Sequence, residues 1–439
     1  MTRARQWLVG LGAVVGVILV LVLVVTGMSL LPRDEELARR VTKALSAASG
    51  VPVTVGAVQW QLWPTPRVVV ENVATEQPRP IVLKKITLYP GIGALWRGRL
   101  QLDSIRLEGA IVPHLSVLAL GGSAKAASSA LPLPLDAQPL LRFEFSDVTW
   151  ESRRGIPVIY QGDIAFDPNW RPRTVRMGRP GVTPTADLSA IRQGQDDRWA
   201  VRINVGGGTA NGELRLQTPA SGRLRLDGTL QPRDIDTAAA LVAFNRKPGV
   251  AGKATGTTTV SAEGESVASL ARSLHTQSSL RISRARLLGF DLEKAVRSAG
   301  TEHAGTTPLD SLSFQLATQN TALGMVITFS NVKASSGALT ATGKARLLNQ
   351  QIEGEFTVDL VEGLIGVPLK VSGAVKALKV SVPAGAIAGA AVGTAVLPGI
   401  GTAIGARIGA TLGKIFGSGP DPAPGKKPPA SSPLAPRTR

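Results

Sequence analysis

Three histidines, His114, His275 and His303, are the only imidazoles in a chain of 439 residues that has no cysteine. An imidazole works as a base or a metal ligand when further groups stand at a set spacing from it. These three are scattered without such spacing, so isolated surface or loop histidines account for them. HExxH, GxSxG and a complete phosphate-binding loop are absent, and no acidic pair stands out from solvated strand faces. The stretch GIGTAIG at 399–405 has the glycines of a dinucleotide loop but lacks the preceding strand and the downstream acid. Without cysteine, thiol chemistry and disulfides are excluded, which fits an envelope compartment. The expectation is a binding protein, not an enzyme, with no metal and no cofactor.

What could bind is better sought in the apolar residues. In LQLDSIRLE, residues 100–108, Leu100 and Leu102 alternate, the rhythm breaks at Asp103-Ser104, and it resumes out of phase at Ile105 and Leu107. Alternation puts one set of side chains on one strand face, so the slip either flips the set or marks a bulge that restores it. FEFSDVTWE at 143–151 repeats the pattern with Phe143, Phe145, Val148 and Trp150 around Ser146-Asp147. LRISRARL at 280–287 and ITFSNVKA at 327–334 repeat it again. A reused unit with a bulge at its centre curls a sheet and keeps apolar side chains on the concave face. Such a face is filled by side chains as an ordinary core, covered by helices, or left open to an apolar ligand. Leu100, Leu102, Ile105, Leu107, Phe143, Phe145, Val148 and Trp150 are the candidate lining of a lipid-sized groove, with ordinary core as the alternative. Arg97, Arg99 and Arg106 are the candidate headgroup contacts, with solvated strand-face charge as the alternative.

These residues need a β scaffold, and the composition supplies one. Forty-eight glycines and 30 prolines are spread among short apolar runs, only 4% of residues are aromatic, and 44% are hydrophobic. The fold is therefore expected to be mainly β, a long curled antiparallel sheet forming an apolar groove, with short capping helices. Strands are expected at 51–55, 58–62, 81–88, 199–205 and around 211–230, and helices at 236–244 and 265–274. A net charge of +18 favours anionic partners, and no nucleic-acid-binding motif accompanies it, so specific nucleic-acid binding is not expected.

No charge interrupts residues 6–32, long enough for a membrane helix. An uncleaved N-terminal anchor is preferred to a signal peptide, because the run is long and no small-residue cleavage site is evident. Positive charges flank it on both sides, and a short basic tail inside with the bulk exported is the preferred orientation. Residues 34–49 then read as an amphipathic helix with Leu37, Val41 and Leu45 on one face, packed on the first sheet or lying on the membrane surface. Residues 121–139 read as a linker or long loop. Near the end, Gly385, Gly389 and Gly393, then Gly401, Gly405, Gly409 and Gly413, recur every fourth residue around Pro398-Gly399. That spacing lets two short helices of a hairpin, 383–417, approach closely. The hairpin inserts shallowly, packs in solution, or continues as a second membrane helix over 384–406. Residues 418–439 have the composition of a disordered tail.

Several stretches together resemble the AsmA family. The apolar anchor followed by ARRVTKALSAASGVPVTVGAVQWQLWPTPRVVVENV is similar to the amino end of that family, and LYPGIGALWRGRLQLDSIRLEGAIV to its next block. ESVASLARSLHTQSSLRISRARLLGFDLEKAV, the long strand-rich stretch from 307 to 360, and GVPLKVSGAVKALKVSVP are similar to its carboxyl half. The likeness covers about residues 7–120 and 225–382, with Ala377-Leu378 standing where the family usually has Asp-Pro. It implies a bacterial inner-membrane protein with a single anchor and its bulk in the periplasm. It further implies an AsmA-like region at 33–120, a β-rich groove region at 140–382, and phospholipid and membrane as partners. Two function classes follow. One binds or moves phospholipid in support of outer-membrane assembly or lipid homeostasis. The other is a tethered scaffold or regulator acting on an envelope-assembly protein.

Overall fold

The computed structural model describes residues 34–383 apart from 62, 121–134, 169–170, 195–196, 218–222, 266, 322 and 361–365. The expected anchor at 1–32, the glycine-rich hairpin beyond residue 383 and the tail lie outside the described residues. Among the described residues no helix is long and apolar enough to cross a membrane.

Alternating apolar residues between Gly, Pro and Asn turns give strands, and here they join into one sheet of twenty. Its strands follow the chain: β1 (Val53–Gln61), β2 (Arg67–Thr75), β3 (Val82–Pro90), β4 (Leu100–Pro113), β5 (Leu135–Glu151), β6 (Pro157–Asp167) and β7 (Arg171–Gly178). Next come β8 (Asp187–Gln193), β9 (Arg198–Val205), β10 (Gly208–Gln217), β11 (Leu224–Arg233), the two-residue β12 (Ile235–Asp236) and β13 (Val250–Gly264). Then follow β14 (His275–Leu288), β15 (Thr306–Thr321), β16 (Gly324–Ser335), β17 (Leu339–Leu348), β18 (Gln351–Leu360), β19 (Val367–Ala374) and β20 (Ala377–Ser381). Each long strand pairs with the next, while β1 and β20 do not meet, so the sheet is open.

The expected all-antiparallel sheet needs one correction, because β4 and β5 are parallel. Parallel neighbours require a crossover of a dozen or more residues. The segment between Pro113 and Leu135 supplies it. The expected linker at 121–139 is correspondingly shorter at its far end, since residues 135–139 already belong to β5. The two strands expected at 51–55 and 58–62 are one strand, β1.

The broken rhythm at 100–108 is a bulge. Tyr89 pairs with Ser104 and Pro90 with Leu102, which leaves Asp103 as the extra residue, exposed, while Leu100, Leu102 and Ile105 all stay in the core. A second slip crosses β1 to β5 at one level. The buried positions change phase between Val55 and Val58, Val70 and Val73, Leu83 and Ile86, Leu107 and Ala110, and Phe145 and Val148. Left-handed residues mark the line: Asn72 at φ 54°, Gly109 at φ 70° and Asp147 at φ 52°. Lys84 fills the dent, lying across Gly109 to meet Asp147 at 3.6 Å. A shorter line crosses β13 and β14 at Gly252 (φ 134°) and Arg284 (φ 48°), and β16 has its own slip at Asn331 (φ 50°), four residues along from that level. The polar pairs at 146–147, 283–284 and 330–331 are thus the sites where the pleat changes phase.

Three hydrophobic cores lie against the sheet. The first packs helix α1 (Asp34–Ser49) on β1 to β6, with Val41 and Leu45 meeting Val58, Val68, Val70, Ile86 and Leu102. At about 1.5–3 kcal/mol for each such buried side chain, this contact fixes α1 on the sheet and not on a membrane surface. The short helices α2 (Ile92–Trp96) and α3 (His114–Leu118) close the two ends of β4. Helix α4 (Thr237–Ala243) is capped by the Asp236 carboxylate, which accepts from the Ala239 N–H at 2.8 Å, and α5 (Val267–Ser273) covers the small core of Leu224, Ala262 and Leu270. Helix α6 (Leu292–Arg297) seals the last core with Leu292, Ala295 and Val296. Both helices read from the sequence in this region, α4 and α5, are present.

The seam makes a specific demand on Gly109, where a Cβ would meet Lys84 Cδ at 2.6 Å and the φ disfavours any other residue. Gly109→Val is expected to cost about 2 kcal/mol or more in denaturant unfolding. Asp147→Gly, which relieves the same backbone conformation at the price of a floppier unfolded chain, should stay within about 0.5 kcal/mol.

Candidate functional site

The pleat puts every second residue of each strand on one face, and the register carries that face through the whole sheet. One row runs Trp60, Val68, Leu88, Ile105, Phe143, Ile164, Val175, Ala190, Val201, Gly212 and Leu230, each directly opposite the next. It continues through Thr258 and Ser278 to Leu316, Phe329, Ala345, Gly354, Val371 and Val380. A second row runs beside it: Val70, Ile86, Leu107, Phe145, Gly162, Met177, Leu188, Ile203 and Ala210. The opposite face carries polar and charged residues such as Glu213, Arg215, Arg225 and Thr229.

The rows are sealed at one end. In β1 to β6 they sink into the first core, whereas β7, β8 and β9 contribute no residue to any core of the described residues. There Val175, Leu188, Ala190 and Ile203 are half-buried and Met177 is 36% exposed, against 1% for Leu102. Farther along, Leu316 and Phe329 are half-buried as well, and only Val380 packs against the last core. The result is a lane of apolar side chains that leads off the filled first core. Such a surface stays exposed at a cost of roughly 25 cal/mol per Å² relative to burial, so it favours an apolar occupant.

Polar groups on this face are gathered in two places. On β13 to β15 they are hydroxyls that satisfy one another: Thr258 and Ser278 at 2.9 Å, Thr276 and Thr318 at 2.8 Å. At the end of the lane beside Trp199, the Arg192 guanidinium, 7% exposed, is paired with Asp167 and lies 3.9 Å from Asp197. Arg171 also pairs with Asp197, and Arg173 stands 3.9 Å from Asp167. Among the described residues, Asp167 and Asp197 each face two of these three guanidiniums.

The residues singled out from the sequence fall into three groups. Leu100, Leu102 and Ile105 are fully buried, held by Leu140, Phe166 and α1, so they are core and not the wall of an open groove. Leu107 and Phe143 pack against that core, and Phe145 stacks on Phe143 with ring centres 5.9 Å apart. Val148 and Trp150 lie beyond the Asp147 bulge, where Trp150 meets His114 edge-on at 5.6 Å. Arg97 is exposed and 3.7 Å from Asp136, and Arg99 is exposed at the same end of the sheet. Arg106 is different: it alternates with Ile105 and Leu107, so it sits on the polar face. There it donates to Glu144 through Nε at 3.2 Å and Nη2 at 3.1 Å, and that bond raises its pKa further. It is a strand-face ion pair and not a contact to anything in the lane.

The histidines are equally separate. Burial and then Arg153 lower the pKa of His114, His275 meets Ser261 Oγ at 2.7 Å on the sheet surface, and His303 tilts against Phe290. Among the described residues no three His, Asp or Glu side chains are grouped to hold a metal.

The half-buried part of the lane, Val175, Leu188, Ala190, Ile203 and Leu214, was not selected by sequence reasoning, while Val201 in the same row is buried. Its alternation was readable in WAVRINV and GELRLQT. What was missing was a reason to prefer these strands, and that reason is that they join no core among the described residues. The contrast is testable by charge insertion. Leu102→Glu buries a carboxylate without a partner and is expected to destabilise the fold by about 3 kcal/mol or more. Leu188→Glu should leave the unfolding midpoint within about 1 kcal/mol of the parent, since its side chain reaches water.

Residues 383–422 match a family model described as a glycine zipper, in keeping with the four-residue glycine spacing there. No curated protein matches the chain. No solved structure matches it either, so the only likeness found by comparison belongs to the C-terminal segment.

Proposed function

We propose that this chain is a membrane-tethered envelope protein of AsmA-like design that binds phospholipid through its acyl chains on the apolar face of the sheet and is not an enzyme. The observation that carries this reading is the lane across β7 to β9, an apolar surface that joins no core among the described residues and leads off the filled first core. Parallel rows of half-buried aliphatic side chains offer an acyl chain the same contacts that a core offers a leucine, and no directional bond fixes the chain along the lane. That suits a carrier of many similar lipids better than a tight single-ligand pocket.

In this reading the apolar segment 6–32 anchors the chain in the bacterial inner membrane, the sheet lies in the periplasm, and the lipid it handles serves outer-membrane assembly or lipid homeostasis. A second reading, a tethered scaffold or regulator of outer-membrane protein assembly, draws on the glycine-zipper match, a segment type linked to outer-membrane proteins in general. A photo-crosslinking amino acid separates the two. Placed at Leu188 or Ile203 in the full chain in cells, it is expected to capture phospholipid, while the same group at Arg202 on the polar face captures none. Capture of one protein and no lipid from Leu188 and Ile203 would favour the scaffold.

A further inference from the structure

Two tryptophans lie almost fully in solvent, Trp63 at 88% and Trp96 at 86%, with Ile92 at 47%. Large aromatic side chains are seldom left so exposed in water, and neither is explained by the cores. Both belong to one end of the sheet. Trp63 is in the turn between β1 and β2, and Trp96 closes α2 between β3 and β4. Val68 at the start of β2 pairs with Leu88 near the end of β3, so the two connections are neighbours. Arg97 and the exposed Arg99 are there as well, with Asp103 and Asp136 as the described acids nearby and Asp136 already paired with Arg97.

The path of α1 shows what faces this end. Its last residue, Ser49, is joined to β1 by only three residues, and Ala38, Val41 and Leu45 pack along β1 and β2 as far as Trp60. The helix therefore runs antiparallel to β1, and its first residue, Asp34, lies toward the β1–β2 turn that carries Trp63. Only Arg33 separates Asp34 from the uncharged segment 6–32. Sixteen helical residues of about 1.5 Å rise bring the start of α1 some 24 Å back along a strand pair of comparable length. The point where the anchor would leave the bilayer thus falls beside Trp63, Ile92 and Trp96.

We propose that this end of the sheet is a foot that docks on the bilayer. Trp63, Ile92 and Trp96 seat at the boundary between headgroups and acyl chains, where tryptophan is favoured for having an apolar body and a polar N–H, and Arg99 stands at headgroup level. The proposal rests on the anchored reading above and deepens it.

The lack of native cysteine allows a clean test. Full-length chains with Trp63→Cys, Trp96→Cys or, at the opposite end in the β5–β6 turn, Arg154→Cys are labelled with an environment-sensitive fluorophore. They are then reconstituted into vesicles of phosphatidylethanolamine and phosphatidylglycerol containing lipids that quench near the headgroup. Flotation with the vesicles is scored first, then quenching. Labels at 63 and 96 are expected to be quenched at least about twofold more than the label at 154, as an interfacial position requires. A chain that floats with equal quenching at all three positions overturns the foot and leaves the anchor standing. A chain that does not float overturns the anchor and the foot with it.

Discussion

A strand can change the face it offers only by adding or distorting a residue, and its neighbours must then change at the same level or lose the register. Everything else in this protein depends on meeting that constraint. Across β1 to β5 the pleat changes phase on five adjacent strands together, with Asn72, Gly109 and Asp147 in the left-handed conformation and Lys84 laid over the gap. Because the change is collective, the apolar set stays on one side. A slip on one strand alone would have turned Val73 or Ala110 toward water and cut the row. Gly252 and Arg284 repeat the device on two adjacent strands, and Asn331 marks a separate slip on β16.

That face is finished differently along its length. Where helices α1 and α6 lie on it, aliphatic side chains fill the space and the sheet behaves as half of an ordinary two-layer core. Over β7 to β9 no core forms among the described residues. The polar residues there are arranged to do little harm to an apolar occupant: hydroxyls on β13 to β15 bond to one another, and the charges around Arg192 gather at the strand ends. A lane of this kind offers contact without a fixed seat, which is the physical basis for assigning it to lipid.

Much of the scaffold was legible in the sequence because it is local. The polar pairs at 146–147, 283–284 and 330–331 announced the phase changes, Val41 and Leu45 announced the face of α1, and alternating aliphatics announced the strands. The site was less legible because it depends on what covers what. Leu100, Leu102 and Ile105 have the same pattern as Leu188 and Ile203, yet the first three are fully buried in the core under α1 and the last two are half-buried and join no core among the described residues. Phe143 and Trp150 were selected because FEFSDVTWE repeats the broken alternation of LQLDSIRLE, a pattern that marks filled core as readily as a binding wall. Arg106 was separable in principle, since its place between Ile105 and Leu107 puts it on the other face. The parallel pairing of β4 and β5 left no local mark at all.

The central claim is that the uncovered lane binds phospholipid, and the most direct measurement is the phospholipid retained by the purified full-length chain. The chain and a Leu188→Glu, Ile203→Glu double variant would be washed in a lipid-free detergent, extracted and quantified by mass spectrometry against a mock purification. The expected result is phospholipid retained in stoichiometric amount by the parent chain and largely lost from an equally folded variant, because each carboxylate would have to desolvate against an acyl chain. Equal retention by both chains, or none by either, would contradict it.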